Sequence, residues 1–461
     1  MRDISIFGVS SDSGKSFITM LLCNLLFKRG FRVSPFKAQN MSNNSRVADD
    51  GSEIGVAQYI QAKYMNIQTS YRINPILLKP QSNQTSQIVI EGVAKYVKNA
   101  RQYYKDIDTL APVIDRAFNS LKEQNDILIC EGAGSPVELN LIDKDLSNSY
   151  VAKNFNTKII LVADIERGGV FASIYGTYAL LDEQIKKNVI GVIINKFRGD
   201  ISLFDEGKRI IEQDFGLKVL GIMPYFDFSF GFEDSLSLKN YKKRKAKIKV
   251  AMIKFPKISN FNDIEPLVLD ESIELDFIDY FTPLAKYDLV ILSGTKNTIS
   301  DLIWLKKIGL FEELKEYKKL IFGICGGYQM LFNKIVDSQK VESEIESIEG
   351  FGFIDDSIYF EKEKTLDSKE YFAFGKKLKG FEIHNGVSKK YPIFYENGNI
   401  LGTHLHGVFE NNSFREFLFK KIDKNYIGFD FQKLERKSID SILVQSREIL
   451  DLDYIIKELS C

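Results

Sequence analysis

Short runs of hydrophobic residues recur along the chain, and most of them end in a cluster of polar residues. The runs lie at residues 4–7, 33–36, 126–130, 158–163, 188–194, 219–223, 249–253, 288–292 and 320–324. Segments with helical periodicity separate them, beginning with the one that ends at residue 26. Hydrophobic strands that alternate with helices indicate parallel sheets covered on both faces. The pattern therefore predicts an α/β fold.

The basic run YKKRKAKIK at residues 241–249 divides the strands into two groups. We interpret this run as a solvated linker rather than a nucleic-acid site, because no aromatic–basic pattern repeats around it. A chain of 461 residues is also long for a single core. We therefore predict one domain over 1–240, a linker over 241–249, a second domain over 250–412 and a helical segment over 413–461. Its two amphipathic helices are expected near 413–422 and 439–459.

A glycine-rich loop, GVSSDSGKS, joins the first strand to the first helix. Gly8 and Gly14 allow backbone N–H groups to close around a polyphosphate, and the helix N-terminus adds partial positive charge. Lys15 can reach terminal phosphates, and the Ser16 hydroxyl can bind Mg²⁺. Five residues separate the two glycines, where the standard loop has four. The order of strand, loop and helix favours a nucleotide site over an ordinary glycine-rich turn.

Later strands of the first half end in polar residues at 131–134, 164–169 and 195–199. Ligands of parallel sheets bind at the carboxyl ends of strands, so we expect these residues to share the nucleotide and metal site. The polar stretch 37–45 is predicted to be a functional loop, with a solvated turn as the alternative, and the amides of 74–87 are predicted to line a binding surface. The segment 53–65 is predicted to be a helix.

A second strand-to-helix turn carries a cysteine. Cys325 follows the run 320–324 and precedes GGYQ, with a helix expected at 330–335. This order is typical of a nucleophile elbow, in which a helix N-terminus favours the thiolate. All three histidines, at positions 384, 404 and 406, lie downstream. Their concentration favours a Cys–His pair over a buried structural cysteine.

Composition narrows the function further. Lys+Arg and Asp+Glu each number 62, so no net charge attracts nucleic acid or an anionic membrane. The chain runs directly into its first strand, so we expect no signal peptide, and no hydrophobic run is long enough to span a membrane. The cysteines lack metal-site spacing and indicate reduced thiols in a cytoplasmic protein. They are Cys23, Cys130, Cys325 and Cys461.

The chain resembles the cobyric acid synthase family, the glutamine-hydrolysing amide ligases of cobalamin assembly, over essentially its whole length. The motifs that carry the resemblance are GVSSDSGKS, PFKAQNMSNNS, EIGVAQYIQA, NPILLKP, CEGAGSPVELNL, ADIERGGVFAS, INKFRGD, FPKISNFND, ILSGTKNTISDL, FGICGGYQML, FEIHNG and GTHLHGVFEN. The first half also resembles dethiobiotin synthetase, which has the same phosphate loop. The second half is similar to class I glutamine amidotransferases. The resemblance implies a P-loop parallel-sheet domain and a flavodoxin-like amidotransferase domain.

The resemblance implies a reaction as well. ATP, Mg²⁺ and glutamine would serve to amidate the b, d, e and g carboxylates of adenosylcobyrinic acid a,c-diamide through acyl phosphates. The partners would be small molecules, with no nucleic acid and no membrane, and a homo-oligomer is left open.

The resemblance assigns roles to residues in the first half of the chain. Lys15 and Lys37 would neutralise the transferring phosphoryl group. The nucleotide-binding residues would be Gly8, Asp12, Ser13, Gly14, Lys15, Ser16 and Lys37. The candidate Mg²⁺ ligands are Ser16, Glu53 and Glu131, of which the two glutamates rest on family position.

In the second half, the resemblance makes Cys325 the nucleophile and His406 its proton shuttle. Gly294 and Gly326 would provide the N–H groups of the oxyanion hole, and Gln329 would contact glutamine.

One departure from many class I domains concerns the orientation of the histidine. Those domains have a glutamate two residues after it, whereas Val408 stands there in this chain, as in the cobalamin branch of the family. His384 or Glu410 could instead orient His406. His404 is expected to pack or bind rather than to catalyse.

Three alternatives remain open. The nearest is cobyrinic acid a,c-diamide synthase, which shares the two-domain plan but is disfavoured by PFKAQNMSNNS and by the elbow sequence. A regulatory or partitioning ATPase has no use for Cys325 and a histidine. An amidotransferase of cell-wall precursors usually carries its two activities on separate chains.

Overall fold

The computed structural model describes residues 1–81, 85–226 and 244–461. In the first part of the chain, six parallel strands form a sheet in the order β12-β11-β10-β1-β9-β2. The strands are β1 Ile4–Gly8, β2 Val33–Phe36, β3 Gln39–Met41, β4 Ser45–Val47, β5 Glu53–Gly55, β6 Ile76–Pro80, β7 Thr85–Ile90, β8 Val93–Asn99, β9 Ile127–Glu131, β10 Lys158–Asp164, β11 Val189–Phe197 and β12 Val219–Pro224. The helices are α1 Lys15–Lys28, α2 Val56–Lys63, α3 Ala100–Lys105, α4 Ala111–Lys122, α5 Ser149–Asn154, α6 Val170–Leu180, α7 Glu183–Lys186 and α8 Asp205–Arg209.

Two smaller sheets stand at the side of this domain. One has the order β3-β6-β7-β8, and the other is the antiparallel pair of β4 and β5. They are built from the segment between β2 and α3. The central strands β1, β9 and β10 are buried along their whole length, which matches their continuous hydrophobic sequences.

The second domain has a sheet in the order β14-β13-β15-β16-β22-β21, in which only the edge strand β21 is antiparallel. The parallel strands follow the 2-1-3-4-5 order of flavodoxin-like folds, so the predicted fold class is confirmed. The strands are β13 Ile248–Ile253, β14 Ile273–Ile278, β15 Leu289–Leu292, β16 Leu320–Ile324, β17 Phe332–Val336, β18 Ser347–Glu349, β19 Ile354–Ala373, β20 Lys376–Val387, β21 Phe394–Asn397 and β22 Ile400–Thr403. The helices are α9 Glu265–Leu269, α10 Thr298–Lys307, α11 Leu310–Glu316, α12 Gly326–Gln329, α13 Asn412–Phe419, α14 Phe431–Ile449 and α15 Leu452–Leu459.

Two predicted helices are wrong in part. The helix after the cysteine is the single turn α12, and the segment predicted as helix at 330–335 contains strand β17, which pairs with β19. The helix predicted over 53–65 begins only at Val56, because its first residues form β5. Short apolar runs fit either structure, and here pairing with a neighbouring strand decided the outcome.

The C-terminal helices return to the first domain. Ile439 and Leu443 of α14 and Ile455 of α15 are buried in one cluster with Leu21 and Leu25 of α1. The helix predicted near 413–422 is present as α13, but the one predicted near 439–459 is two helices, because α14 begins at Phe431 and a break at Leu450 and Asp451 separates it from α15. Of the predicted linker, residues 241–243 lie outside the described residues, and 248–249 already belong to β13.

Within the described ranges, no helix is both long and apolar enough to cross a membrane.

Candidate active sites

The phosphate loop lies between β1 and α1, at the carboxyl edge of the first sheet. Asp12 and Gly14 have φ angles of 57° and 95°, and this left-handed backbone turns N–H groups towards one side of the loop. Gly8 permits close packing of the loop, because a Cβ there would lie 2.8 Å from the Ser10 carbonyl oxygen. Ser13 Oγ is buried without a hydrogen-bond partner among the described residues. The loop therefore fits a phosphate-bearing ligand.

Side chains from three elements converge beside this loop. Lys15 Nζ donates to the Gly134 carbonyl at 2.9 Å. Ser16 Oγ and Lys37 Nζ both donate to Glu131 Oε1, each at 2.7 Å. Burial alone would raise the pKa of Glu131, but the charge of Lys37 and the hydrogen bonds lower it. The carboxylate is therefore ionised next to the predicted phosphate position.

The oxygen atoms of Ser16 and Glu131 fit a Mg²⁺ ion, which prefers hydroxyl, carboxylate and phosphate oxygens. Glu53 does not join them, and its assignment as a metal ligand is corrected here. Its fully buried carboxylate is held by Lys79 Nζ at 2.5 Å and by Lys364 Nζ at 2.6 Å. Glu53 is not at the metal site because it lies on β5, where its carboxylate pairs with two lysines, and not on the helix predicted for it.

Residues at the ends of β10 and β11 support the loop from behind. Asn195 Nδ2 donates to the Ser13 carbonyl at 2.9 Å. Lys196 Nζ donates to the Asp12 carbonyl at 2.7 Å and to the Asp164 carboxylate at 2.9 Å. The polar residues at the ends of these strands therefore lie beside the phosphate loop. That they share a nucleotide and metal site stays a prediction.

Cys325 occupies a strained turn between β16 and α12, with φ of 50° and ψ of −109°. A positive φ at a non-glycine residue is typical of a nucleophile elbow. The turn packs closely on the loop after β15, since a Cβ on Gly326 would lie 3.2 Å from Thr295 N. Gly294 precedes that residue, and a Cβ on it would lie 3.2 Å from His406 Cε1. The two glycines predicted for the oxyanion hole therefore lie at one corner of the site.

His406 follows β22 and is buried against Asp263. The ring Nδ1 lies 2.7 Å from Asp263 Oδ2, and the other oxygen of this carboxylate accepts from Gly407 N at 2.7 Å. Burial disfavours the imidazolium, but Asp263 and Cys325 outweigh it and raise the pKa of His406 to about 10. Because His406 Nδ1 bonds to Asp263, Nε2 is the ring nitrogen that can bond to the Cys325 thiol. The arrangement is that of a nucleophile, a base and an orienting carboxylate.

Asp263 is the functional residue that the sequence analysis missed. The two candidates for this position were wrong, because His384 bonds to Glu382 at 3.0 Å and Glu410 pairs with Arg46. A signal was present, since Asp263 ends the motif FPKISNFND after strand β13. The sheet places the carboxyl end of β13 two strands from that of β16, which carries the cysteine.

Gln329 is held in a fixed orientation by hydrogen bonds to its amide. Its Oε1 accepts from Thr298 Oγ1 at 3.0 Å, and its Nε2 lies 3.4 Å from His404 Nε2. Burial and the neighbouring His384 lower the pKa of His404, so its ring is neutral. Its Nδ1 donates to the Pro392 carbonyl at 2.8 Å, which makes Nε2 the acceptor for the glutamine amide.

Glu382, His384 and His404 bring ligand atoms within 4.8 Å of one another. The ring nitrogens of His384 contact the Gly386 carbonyl at 2.9 Å and Glu382 at 3.0 Å. The two imidazoles stack at 3.9 Å between centroids. Because each ring nitrogen already has a protein partner, we interpret this group as support for Gln329 rather than as a metal centre.

Charged side chains from both domains line the Cys325 pocket. Lys296, Glu342 and Lys364 come from the second domain, and Lys79 comes from the first domain. Burial raises the pKa of Glu342 to about 7, against the opposing effect of Lys296. The sequence analysis gave none of these residues a role. Charges of both signs suit a small ligand that carries both an ammonium and a carboxylate group.

The two domains meet beside this pocket. Ser45 N donates to Asn260 Oδ1 at 2.8 Å, and Phe261 N donates to Asn44 Oδ1 at 3.3 Å. The polar stretch 37–45 therefore connects the edge of the nucleotide site with the turn that carries the orienting carboxylate of the second site.

Two family models match the chain. A CobQ/CobB/MinD/ParA nucleotide binding domain matches residues 4–230, and a CobB/CobQ-like glutamine amidotransferase domain matches residues 249–414. The first range contains the phosphate loop, and the second contains the Cys325 turn and His406.

Curated relatives are similar over nearly their whole length. A cobyric acid synthase of Acinetobacter baylyi is 51% identical over 460 residues, which cover 99% of each chain. A cobyric acid synthase of Clostridium acetobutylicum is 38% identical, over 99% of this chain and 98% of that one. A probable cobyric acid synthase of Methanosarcina barkeri is 41% identical, over 92% and 93% of the two chains.

Proposed function

The chain belongs to the cobyric acid synthase family, and from this premise we propose that it amidates four corrinoid carboxylates with ammonia from glutamine. As a member of that family it is a glutamine-dependent amide ligase of cobalamin biosynthesis. The proposed substrate is adenosylcobyrinic acid a,c-diamide, and the proposed positions are b, d, e and g. The observation that carries the proposal is the presence of both sites in one chain that matches these ligases end to end.

Ammonia is released in the amidotransferase domain. The Cys325 thiol gives its proton to His406, and the thiolate attacks the side-chain amide carbon of glutamine. The oxyanion that forms meets the N–H groups of Gly294 and Gly326. His406 gives a proton to the departing nitrogen, so the C–N bond breaks and ammonia leaves. A water molecule, deprotonated by the same imidazole, then hydrolyses the thioester to glutamate. Asp263 keeps the ring oriented and stabilises its charged form.

The carboxylate is activated in the first domain. A corrinoid carboxylate oxygen attacks the γ-phosphorus of ATP, which gives an acyl phosphate and ADP. Lys15 and Lys37 stand where they can neutralise the phosphoryl oxygens, and the hydroxyl of Ser16 and the carboxylate of Glu131 would hold Mg²⁺. When bound there, the ion supplies positive charge against the phosphates. Ammonia then attacks the acyl carbon, and inorganic phosphate leaves as the amide forms.

Mass spectrometry of the corrinoid product tests this proposal. The protein is incubated with the a,c-diamide, ATP, Mg²⁺ and glutamine, and the product mass should change in four steps, each exchanging a hydroxyl for an amino group. Omission of ATP should stop the series. If the a,c-diamide is left unchanged while cobyrinic acid is converted to it, the chain is an a,c-diamide synthase and the proposal fails.

A further inference from the structure

The imidazole of His406 is held at its edge by a hydrogen bond, but its faces need a separate support. Asp263 bonds to Nδ1 and so fixes one atom of the ring. Rotation about that bond would still carry Nε2 away from the Cys325 thiol, and a misplacement of about 1 Å can cost about 10²-fold in rate. The geometry of the base therefore depends on what packs against the ring.

Phe381 of β20 is the residue that packs on this imidazole. The two rings are stacked, with centroids 5.2 Å apart and planes inclined by 25°. The backbones are joined as well, because Phe381 N donates to the His406 carbonyl at 3.2 Å and His406 N donates to the Phe381 carbonyl at 2.9 Å. Both residues are buried. A displaced phenyl ring would therefore displace the base.

The first domain supports this phenyl ring. Arg46 lies on β4, and its guanidinium carbon is 4.5 Å from the centroid of Phe381 and 5.6 Å from that of Tyr59 on α2. Attraction between a cation and the face of an aromatic ring favours this arrangement. Val47, the next residue of β4, is buried in one hydrophobic cluster with Phe381 and Ile383. Strand β4 therefore holds the side chain on which the base rests.

Arg46 also holds the turn that begins directly after His406. Its guanidinium pairs with Glu410, and each of the two side chains is 17% exposed. Gly407 lies beside the pair, because a Cβ there would stand 3.4 Å from Arg46 Nη1 and 3.5 Å from Glu410 Oε1. Glu410 N donates to the Gly407 carbonyl at 3.0 Å. The ion pair therefore attaches the turn to the first domain.

The charge of Arg46 reaches the orienting carboxylate too. Burial alone would lower the pKa of this guanidinium, but the negative charges of Glu410 and Asp263 and the hydroxyl of Tyr59 raise it. Arg46 is therefore charged. Its attraction for Asp263 stabilises the ionised carboxylate that bonds to His406.

We propose that Arg46 is a positioning residue of the glutaminase site, which acts from the first domain through Phe381 to hold His406 in line with the thiol. Arg46 is not among the described residues that line the Cys325 pocket, so it acts through other side chains. This inference rests on the proposed role of His406 as the base. The second domain supplies cysteine, histidine and carboxylate, but the support of the base is complete only with the first domain in place.

The test measures glutamate release by full-length Arg46→Ala at varied glutamine concentration. The value of kcat should fall at least about tenfold, because the ring is no longer held in its productive orientation. KM should change less than about twofold, because the glutamine pocket is intact. Amidation from ammonium chloride should stay within about twofold of wild type, since the nucleotide site does not use this residue.

A cavity at the domain boundary allows the missing group to be replaced. It has a volume of about 350 Å³, and its lining includes Arg46, Tyr59, Phe381 and Glu410. Free guanidinium ion has the flat shape and the charge of the deleted group. Guanidinium chloride at a concentration that does not denature wild type should therefore restore most of the kcat that Arg46→Ala loses, whereas sodium chloride at equal ionic strength should not.

Arg46→Lys provides a second variant if Arg46→Ala is unstable. Lysine keeps the charge and can pair with Glu410, but it lacks the planar group that stacks on Phe381. Its kcat should therefore lie between those of wild type and Arg46→Ala, with KM unchanged. A wild-type kcat in Arg46→Lys would contradict the stacking role.

Phe381→Leu tests the route of the effect. Leucine removes the ring between guanidinium and imidazole but keeps a hydrophobic side chain at this place. The loss of kcat in the double variant with Arg46→Ala should be smaller than the product of the two single losses, because the two residues act in series. Losses that multiply would show that Arg46 does not act through Phe381.

Lys63→Met is the matched control. Lys63 lines the same cavity, and its ammonium pairs with Glu435 of α14 at 2.8 Å. The substitution removes a cation there but leaves the support of the imidazole in place. The value of kcat should stay within about twofold of wild type, as expected for a partly exposed ion pair.

An unchanged kcat in Arg46→Ala would overturn the inference. An equal loss in Lys63→Met would overturn it too, since any cation at this boundary would then serve. A parallel loss of ammonia-dependent amidation would assign the effect to loosened domains. Persistence of glutamate release in Cys325→Ala would instead count against the proposed function.

Discussion

The nucleotide site and the glutaminase site are both built at the carboxyl ends of parallel strands, but they draw on the chain differently. Most of the nucleotide site lies within nine consecutive residues, 8–16, whose backbone forms the cradle. The glutaminase site takes one residue from each of the three segments that follow β13, β16 and β22: Asp263, Cys325 and His406. A contiguous loop can be identified from its spacing, whereas a set assembled from separate strands depends on sheet order.

The difference between the two sites predicts how each should respond to substitution. The backbone conformation of the loop is set by its own residues, and hydrogen bonds from Asn195 and Lys196 of β11 hold it in place. The positions of Asp263, Cys325 and His406 depend on the packing of the second domain's sheet and on contacts with the first domain. Substitutions at the glutaminase site should therefore lower only glutamine-dependent amidation, because amidation from free ammonia needs the nucleotide site alone. Substitutions at the nucleotide site should lower amidation from both nitrogen sources.

The largest expected effect is that of Cys325→Ala on glutamine use. Loss of the nucleophile should lower glutamine-dependent amidation by at least about 10⁴-fold. Amidation from free ammonia should stay within about twofold of wild type, because the nucleotide site is intact. Cys461→Ala, at an exposed thiol, is the control and should change neither rate. Loss of both activities in a folded Cys325→Ala protein would contradict separate sites.

Substitution of the base or its partner should have the next largest effect. His406→Ala should lower the glutaminase rate about 10²–10⁴-fold, the range for general acid–base catalysis. Asp263→Asn should fall within the same range of about 10²–10⁴-fold, because an amide no longer stabilises the imidazolium. Steady-state assays of glutamate release measure both. A wild-type rate in Asp263→Asn would show that another group orients the ring.

Lys15→Ala tests the nucleotide site. Removal of one charge that stabilises the transferring phosphoryl group should lower amidation about 10²–10³-fold. Rates from ammonia and from glutamine should fall together, in contrast to Cys325→Ala. Lys28→Ala, at the exposed end of the same helix, is the control and should have little effect, as expected for a surface ion pair. Substantial product from ammonia in Lys15→Ala would sink the assignment.

His404→Ala should have a smaller effect than His406→Ala. It removes one hydrogen bond to Gln329, so we expect KM for glutamine to rise about 3–10-fold while kcat changes less. Kinetics at varied glutamine concentration distinguish the two parameters. Equal losses in the two histidine variants, or a larger loss at His404, would mean that the wrong histidine was assigned to catalysis.

The smallest expected effect is on stability. Burial lowers the pKa of His406, but Asp263 and Cys325 outweigh it and raise this pKa from 6.5 in the unfolded chain to about 10. The stability that the folded protein gains from the charged His406 ring is complete below pH 6.5 and is lost as the pH rises towards 10. The difference in Tm between wild type and Asp263→Asn should therefore shrink across this interval. A difference that grows with pH would contradict the sign of the shift.

Local sequence determined the parts of this protein whose geometry is set by neighbouring residues. The phosphate loop and the cysteine turn were both identified, because glycines, a lysine and a hydroxyl at fixed spacing act through the backbone next to them. The alternation of strands and helices likewise predicted both sheets. The type of the short elements could not be predicted as well from sequence. Phe332–Val336 forms a strand because it pairs with β19.

Tertiary structure decided which distant side chains meet. Asp263 and His406 are 143 residues apart, and Glu53 and Lys364 are 311 apart. No local pattern distinguishes a carboxylate that orients a histidine from one that binds Mg²⁺ or a lysine, because all three offer the same oxygens. Sheet order brought Asp263 to the base, and the docking of two domains placed Lys364 on Glu53. Long-range packing thus assigned these carboxylates their partners.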